Sequence, residues 1–221
     1  MLVKNAVSSE MIDIIKLLQS EQLFENHILA GGTALALQIG HRTSTDIDLF
    51  TSEKQNAVSL TEFFIKQFNN CNIPFADDRF MQIFINNIKI ELVHDDYKII
   101  KKPIFKENIK LFDKLEIAAM KLKAIQGRTK ARDFIDLAYL LQEISLKNIF
   151  EVYKEKYENI SEKLLKRTIL AKCKNIKDND WLVGIKMLRN DIQPENVLIY
   201  LEKGIEDYNN NINIGIKNNT N

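Results

Sequence analysis

A chain of 221 residues, 45% hydrophobic and 28% charged, is long enough to bury a sizeable core and too apolar to be a disordered polymer. Its formal net charge of +1 excludes a chain-wide polycation, so any nucleic-acid surface must come from local clustering of lysines. The opening MLVKNAVSSE lacks the features of a signal peptide, no apolar run approaches bilayer-spanning length, and Cys71 and Cys173 show no metal-type spacing; a cytoplasmic protein with reduced thiols and no membrane association is expected.

Ser8 and Ser9 are N-cap candidates for a first helix running to about Leu23, with Met11, Ile14, Ile15 and Leu18 forming its apolar stripe. Asn26 to Ala30 reads as a short buried strand that enters Gly31-Gly32. Residues 33–40 form a second helix, and residues 46–50 a strand. The capping-box pattern Ser59-Leu60-Thr61-Glu62 places a third helix over 59–70, with Phe63, Phe64 and Phe68 inward. Pro74 breaks the chain, Asp77 and Asp78 belong to a turn, and Phe80–Ile85 and Ile88–Val93 form a hairpin around Asn86-Asn87.

From Lys98 to Lys114 lysines outnumber acids, and the segment reads as an exposed connector. Beyond it the apolar spacing is helical: 115–125 stopped by Gly127, 134–144, 147–157, 161–173 and 195–208, before an Asn-rich tail. The fold class is α+β: an N-terminal half with a small mixed sheet, then a C-terminal helical bundle. The expected domains are a catalytic domain over 1–97, a helical domain over 98–208 that completes a cleft, and a flexible tail over 209–221.

The chemistry concentrates in Leu29–Phe50. Residues two apart on a strand share a face about 6.6 Å apart, so Asp46 and Asp48 point together while Ile47 and Leu49 enter the core. Two such carboxylates can converge on magnesium, which takes oxygen ligands and shares them with phosphates. The Gly31-Gly32 pair lets backbone approach a phosphate, and the N-terminus of the following helix, opened by Thr33, favours an anion. Glu91 lies out of phase with Ile88, Ile90 and Leu92. It is therefore either a solvent-facing strand acid or a third carboxylate beside the first two. Arg42 suits phosphate by its guanidinium fork, and equally suits the end of the preceding helix.

These residues carry a resemblance. GGTALALQIGHRTSTDIDLF resembles the signature of the AbiEii/AbiGii-type nucleotidyltransferase toxins of bacterial toxin–antitoxin systems, within the polymerase-β-like minimal nucleotidyltransferase superfamily. Thirteen residues separate Gly32 from Asp46, at the long end of the superfamily's gap. LEIAAMKLKAIQGRTKARDFIDLAYLL, residues 115–141, is similar to the family's second signature.

The resemblance implies that Gly31, Gly32 and Thr33 hold a nucleoside triphosphate; Arg42 joins them as a further phosphate-ligand candidate on the chemistry of its guanidinium, not on the resemblance. It implies that Asp46, Asp48 and Glu91 bind magnesium, with Glu91 where many relatives carry Asp. Lys121 would neutralise phosphate charge, and Asp133 would orient it or a substrate group. The implied activity is transfer of a nucleoside monophosphate to an acceptor hydroxyl, with a tRNA 3′ end as acceptor. The basic connector and helical half would then form the RNA platform, and a cognate winged-helix antitoxin is the implied partner. A non-catalytic antitoxin-binding protein of the same fold, and a metal-dependent nuclease, are the alternatives; Lys89-Ile90-Glu91 reverses the usual acid-then-lysine order of the nuclease.

Overall fold

The computed structural model describes residues 1–157, 161–177, 180–181 and 183–218, with 212–218 by backbone alone. The contacts divide the chain into two units, Met1–Asp113 and Lys114–Asn221. No described helix is long and apolar enough to cross a membrane.

The first unit is built on a mixed sheet of seven strands among the described residues: β1 (Ile28–Leu29), β2 (Asp46–Thr51), β3 (Cys71–Ala76), β4 (Phe80–Ile85), β5 (Ile88–His94), β6 (Ile104–Lys106) and β7 (Ile109–Leu111). Their order is β3-β4-β5-β2-β1-β7-β6. β2 runs parallel to β5 and β1 parallel to β7, and the other neighbours are antiparallel. Helix α1 (Ser9–Ser20) is capped by Ser8, whose hydroxyl accepts from the Met11 amide at 3.2 Å, and it buries Met11, Ile14, Ile15 and Leu18. Helix α2 (Gly31–Ile39) links β1 to β2, and α3 (Ala57–Gln67) follows β2. Ile47, Leu49, Ile90, Leu92 and Leu111 are fully buried on one side of the sheet.

The structure differs from the sequence reading in four places here. The cap of α3 is Asn56, which accepts from the Ser59 amide at 2.9 Å, so Ser59 already lies in the first turn. Of the three phenylalanines assigned to the core face, only Phe64 is buried outright; Phe63 and Phe68 are half-exposed and pack edge-on or stacked against it. Pro74 does not end the regular structure but sits in β3, the outermost strand, where its missing N–H costs no ladder bond; the register slips between Asn72 and Phe75 around it. The lysine-rich connector is a hairpin, β6–β7, turning at Glu107 and Asn108 with φ of +52° and +65°. Its Ile109, Leu111 and Phe112 are buried, so residues 98–113 belong to the first unit and the boundary falls after Asp113 rather than after residue 97.

The second unit is helical: α4 (Lys114–Gly127), α5 (Ala131–Leu141), α6 (Leu146–Tyr157), α7 (Glu162–Lys174) and α8 (Val197–Asn218). Ile117, Leu122, Phe134, Leu137, Ile149, Phe150, Ile169 and Leu201 form its core. The segment expected to be a loose tail continues α8 to Asn218, and residues 219–221 lie outside the described residues. The fold class stands as read, a mixed α and β chain with eight α-helices among the described residues.

Candidate active site

Strand alternation sorts β2 and β5 into a buried side and an open side, with Ile47, Leu49, Ile90 and Leu92 inward and Asp46, Asp48, Lys89 and Glu91 outward. The parallel register pairs Asp46 with Lys89 and Asp48 with Glu91. All three candidate carboxylates therefore share one face of two adjacent strands, and none of them is sealed from solvent. Antiparallel β4 adds Gln82 beside Glu91, its amide donating to Glu91 Oε1 at 3.3 Å.

Lys89, not singled out as a site residue in the sequence, stands among these acids. Its Nζ donates to Glu91 Oε1 at 2.8 Å and lies 3.5 Å from Asp46 Oδ2. Burial alone would push the Lys89 ammonium down, but the hydrogen bond to Glu91 and the charges of Asp46, Glu91 and Asp48 outweigh it and raise the pKa. Burial likewise pushes the Glu91 carboxyl up, and it is overcome by Lys89, with Gln82 and Asp48 adding hydrogen bonds, so the net shift is downward. Lys89 shares the alternation phase of Glu91 two residues on, but it is the β2–β5 register that brings Asp46 and Asp48 beside it.

The glycine pair forms the first turn of α2 rather than preceding it. Gly31 has φ of +65°, and a Cβ there would overlap Asp48 Oδ2; a Cβ on Gly32 would overlap the Arg42 guanidinium. The pair thus lets the helix N-terminus lie directly against the Asp48 carboxylate on one side and the Arg42 guanidinium on the other. Ala30 N–H donates to the Asp48 carbonyl at 2.8 Å, tying the turn to β2. The buried Thr33 hydroxyl hydrogen-bonds the Asp46 carbonyl and the Ser44 hydroxyl. Arg42 is itself buried and donates through Nη1 to the Thr43 carbonyl at 2.9 Å. Asp46, Asp48, Glu91, Gly31, Gly32, Thr33 and Arg42 are thereby gathered around the β1–α2 turn and the open face of β2 and β5.

Lys121 and Asp133 belong to the helical unit, and there they meet each other. Lys121 Nζ lies 2.9 Å from Asp133 Oδ1 and 2.5 Å from Asp136 Oδ2, with the lysine side chain 6% exposed and both acids at 0%. Arg128 Nε donates to Asp133 Oδ2 at 2.7 Å. Burial acts to raise the Asp133 carboxyl, and the charges and hydrogen bonds of Lys121 and Arg128 carry it below the usual range. Arg128 had no signal in the sequence, because a five-residue spacing is not a helical neighbour.

Among the described residues no group of three or more His, Cys, Asp and Glu side chains is arranged to hold a metal ion as it stands. The donor chemistry nonetheless fits magnesium: hard carboxylate oxygens share one open face, and the Lys89 ammonium is the positive charge they now surround.

The family model described as nucleotidyl transferase AbiEii toxin, type IV toxin–antitoxin system, matches residues 16–203. The uncharacterised protein aq_aa25 of Aquifex aeolicus is 29% identical over 149 residues, 64% of this chain and 71% of that protein. Among solved structures, JHP933 from Helicobacter pylori is similar in fold with a TM-score of 0.55 at 22% identity, over 94% of this chain and 98% of that one. MenT4, a nucleotidyltransferase toxin from Mycobacterium tuberculosis, is similar with a TM-score of 0.50 at 15% identity, over 88% of this chain and 80% of that one.

Proposed function

The chain belongs to the AbiEii family of nucleotidyl transferase toxins, and from that membership we propose how its residues act and on what. The reaction is transfer of a nucleoside monophosphate from a nucleoside triphosphate to an acceptor hydroxyl, with the 3′ end of a tRNA as the acceptor. Asp46 and Asp48 with Glu91 would hold magnesium, which when bound would supply counter-charge to the triphosphate and the pyrophosphate leaving group.

Around it the protein's own groups divide the work. The first-turn N–H groups of α2 at Gly31, Gly32 and Thr33 receive phosphate oxygens, since no intrahelical partner satisfies them and the helix dipole favours an anion there. Arg42, against Gly32, adds a fixed positive charge beside that turn. The acceptor oxygen forms its bond to the α-phosphorus as the bond to the bridging oxygen breaks, and its proton passes to Glu91. Lys89 keeps the Glu91 carboxylate ionised and able to take that proton. Lys121 and Asp133 serve this reaction by ordering the helical unit. A cognate winged-helix antitoxin restrains the enzyme, and the setting is the cytoplasm.

The observation that carries this reading is the β2–β5 register, which sets Glu91 opposite Asp48 beside a glycine turn. The test is incubation with magnesium, each labelled triphosphate in turn and total RNA, followed by identification of the labelled species. Asp46→Asn and Asp48→Asn should each lower incorporation at least about a hundredfold while folding normally. Full activity in both variants would remove the metal-site assignment, and label entering protein instead of RNA would replace the acceptor.

A further inference from the structure

The strand registers place more than the acids on the open face. Phe50 lies opposite Ile28 across β2 and β1, and Val93 opposite Phe50 across β5 and β2. Phe80 pairs with Val93, and Phe105 pairs with Lys110. Leu29 pairs with Leu111, so Ile28 and Lys110, each one residue earlier, share the opposite face. One row, Phe80–Val93–Phe50–Ile28–Lys110–Phe105, therefore crosses the sheet on the same face as Asp48 and Glu91, one side-chain repeat further along. The acids end where an aromatic and basic row begins.

The far end of this row is concave and open. A pocket of about 440 Å³ is lined by Ile28, Lys102, Pro103, Phe105 and Lys110, with Glu53 as its acid. Phe105 is 69% exposed, an unusual state for a phenylalanine on an edge strand. The charge in this segment is lopsided: Lys98, Lys101, Lys102, Lys106 and Lys110 fall within thirteen residues, Lys106 by its pairing with Ile109 on the other face of β6, and Glu107, the one acid among them, is engaged by Lys4 and the Leu2 amide. An aromatic presented on a sheet face with lysines beside it is the combination that stacks single-stranded bases and neutralises their phosphates.

We propose that the open end of this row is the docking surface for the single-stranded acceptor end of an RNA, with a base stacked on the exposed Phe105 and a phosphate met by the exposed Lys102, beside Lys110, whose ammonium is held by the Glu25 carbonyl. From Asp48, Phe105 is three strand spacings and one row away, about 16 Å. A short run of unpaired nucleotides, at upward of roughly 3.4 Å each, covers that span. The assignment rests on RNA being the acceptor and adds where the acceptor lies.

Fluorescence anisotropy of a labelled single-stranded RNA octamer, with the full chain and without nucleotide or magnesium, tests it apart from the chemistry. Phe105→Ala should weaken binding about tenfold. Lys102→Ala should lower the slope of log affinity against log salt by about one, and duplex RNA of the same length should bind more weakly than the single strand. Circular dichroism confirms that each variant is folded. Binding indifferent to both substitutions, or stronger for the duplex, overturns the surface and leaves the transferase reading in place. Phe105-dependent binding without nucleotide incorporation by the native chain leaves the surface and overturns that reading.

Discussion

Gly31 shows how much of the site depends on one missing methyl group. Its φ of +65° disfavours any other residue by about 1–2 kcal/mol, and an added Cβ would displace the Asp48 carboxylate. Gly31→Ala should therefore lower both the urea midpoint and nucleotide incorporation. Gly32→Ala meets only the end of the Arg42 side chain, so it should cost less stability while still reducing turnover. If Gly31→Ala left both measurements unchanged, Asp48 would not lie where the structure has it. The glycine pair was legible in the sequence as a place for close approach. What presses on it was not, because neither Asp48 nor Arg42 is a sequence neighbour of the turn. Lys89 was overlooked for a different reason: a lone strand lysine ordinarily means a solvated face, and only the register shows three acids around it.

At the level of elements, the ion cluster joining α4 and α5 has a role that activity alone cannot read out. Lys121→Ala would leave Asp133 and Asp136 buried without their shared cation, a loss of about 3–5 kcal/mol. Urea unfolding of the helical unit should show it. A fall in activity in that variant counts as catalytic only if the folded fraction is unchanged. Because the Asp133 carboxyl is held below its ordinary value of 3.8, its contribution to stability is present above that pH and is lost as pH falls through the folded-state value. The urea midpoint should drop on that acid limb, and Asp133→Asn should flatten this part of the profile. Helix spacing made α1 and α4–α7 readable nearly to their ends. The edge elements were not readable. β3 was hidden by Pro74, which a central strand forbids but an outer one tolerates, and β6–β7 by lysines outnumbering the two inward residues of a three-residue strand.

At the level of the whole molecule, the sheet order places β2 and β5 inside and β3 and β6 at the rims. Hydrogen exchange should be slowest at Ile47, Leu49, Ile90 and Leu92 and fastest in β3 and β6. Comparable protection of the rim strands would contradict that order. The split of the chain was legible as a change from strand to helix patterning. Its position was not, because Ile109–Leu111 returns to pair with Leu29 from more than eighty positions downstream, a contact no local pattern encodes.

That same weaving of the sheet sets a timetable for toxicity. A ribosome releases the acids of β2 long before Glu91, and until β5 has emerged β2 has an uncovered flank and no third carboxylate. If Glu91 acts as proposed, a stalled or clipped product ending before it should be inactive yet prone to stick, and should be cleared as misfolded protein rather than act as a poison. On the proposed roles of Asp46, Asp48 and Glu91, harm to the cell would begin only once synthesis has passed the β4–β5 hairpin that delivers the last acid.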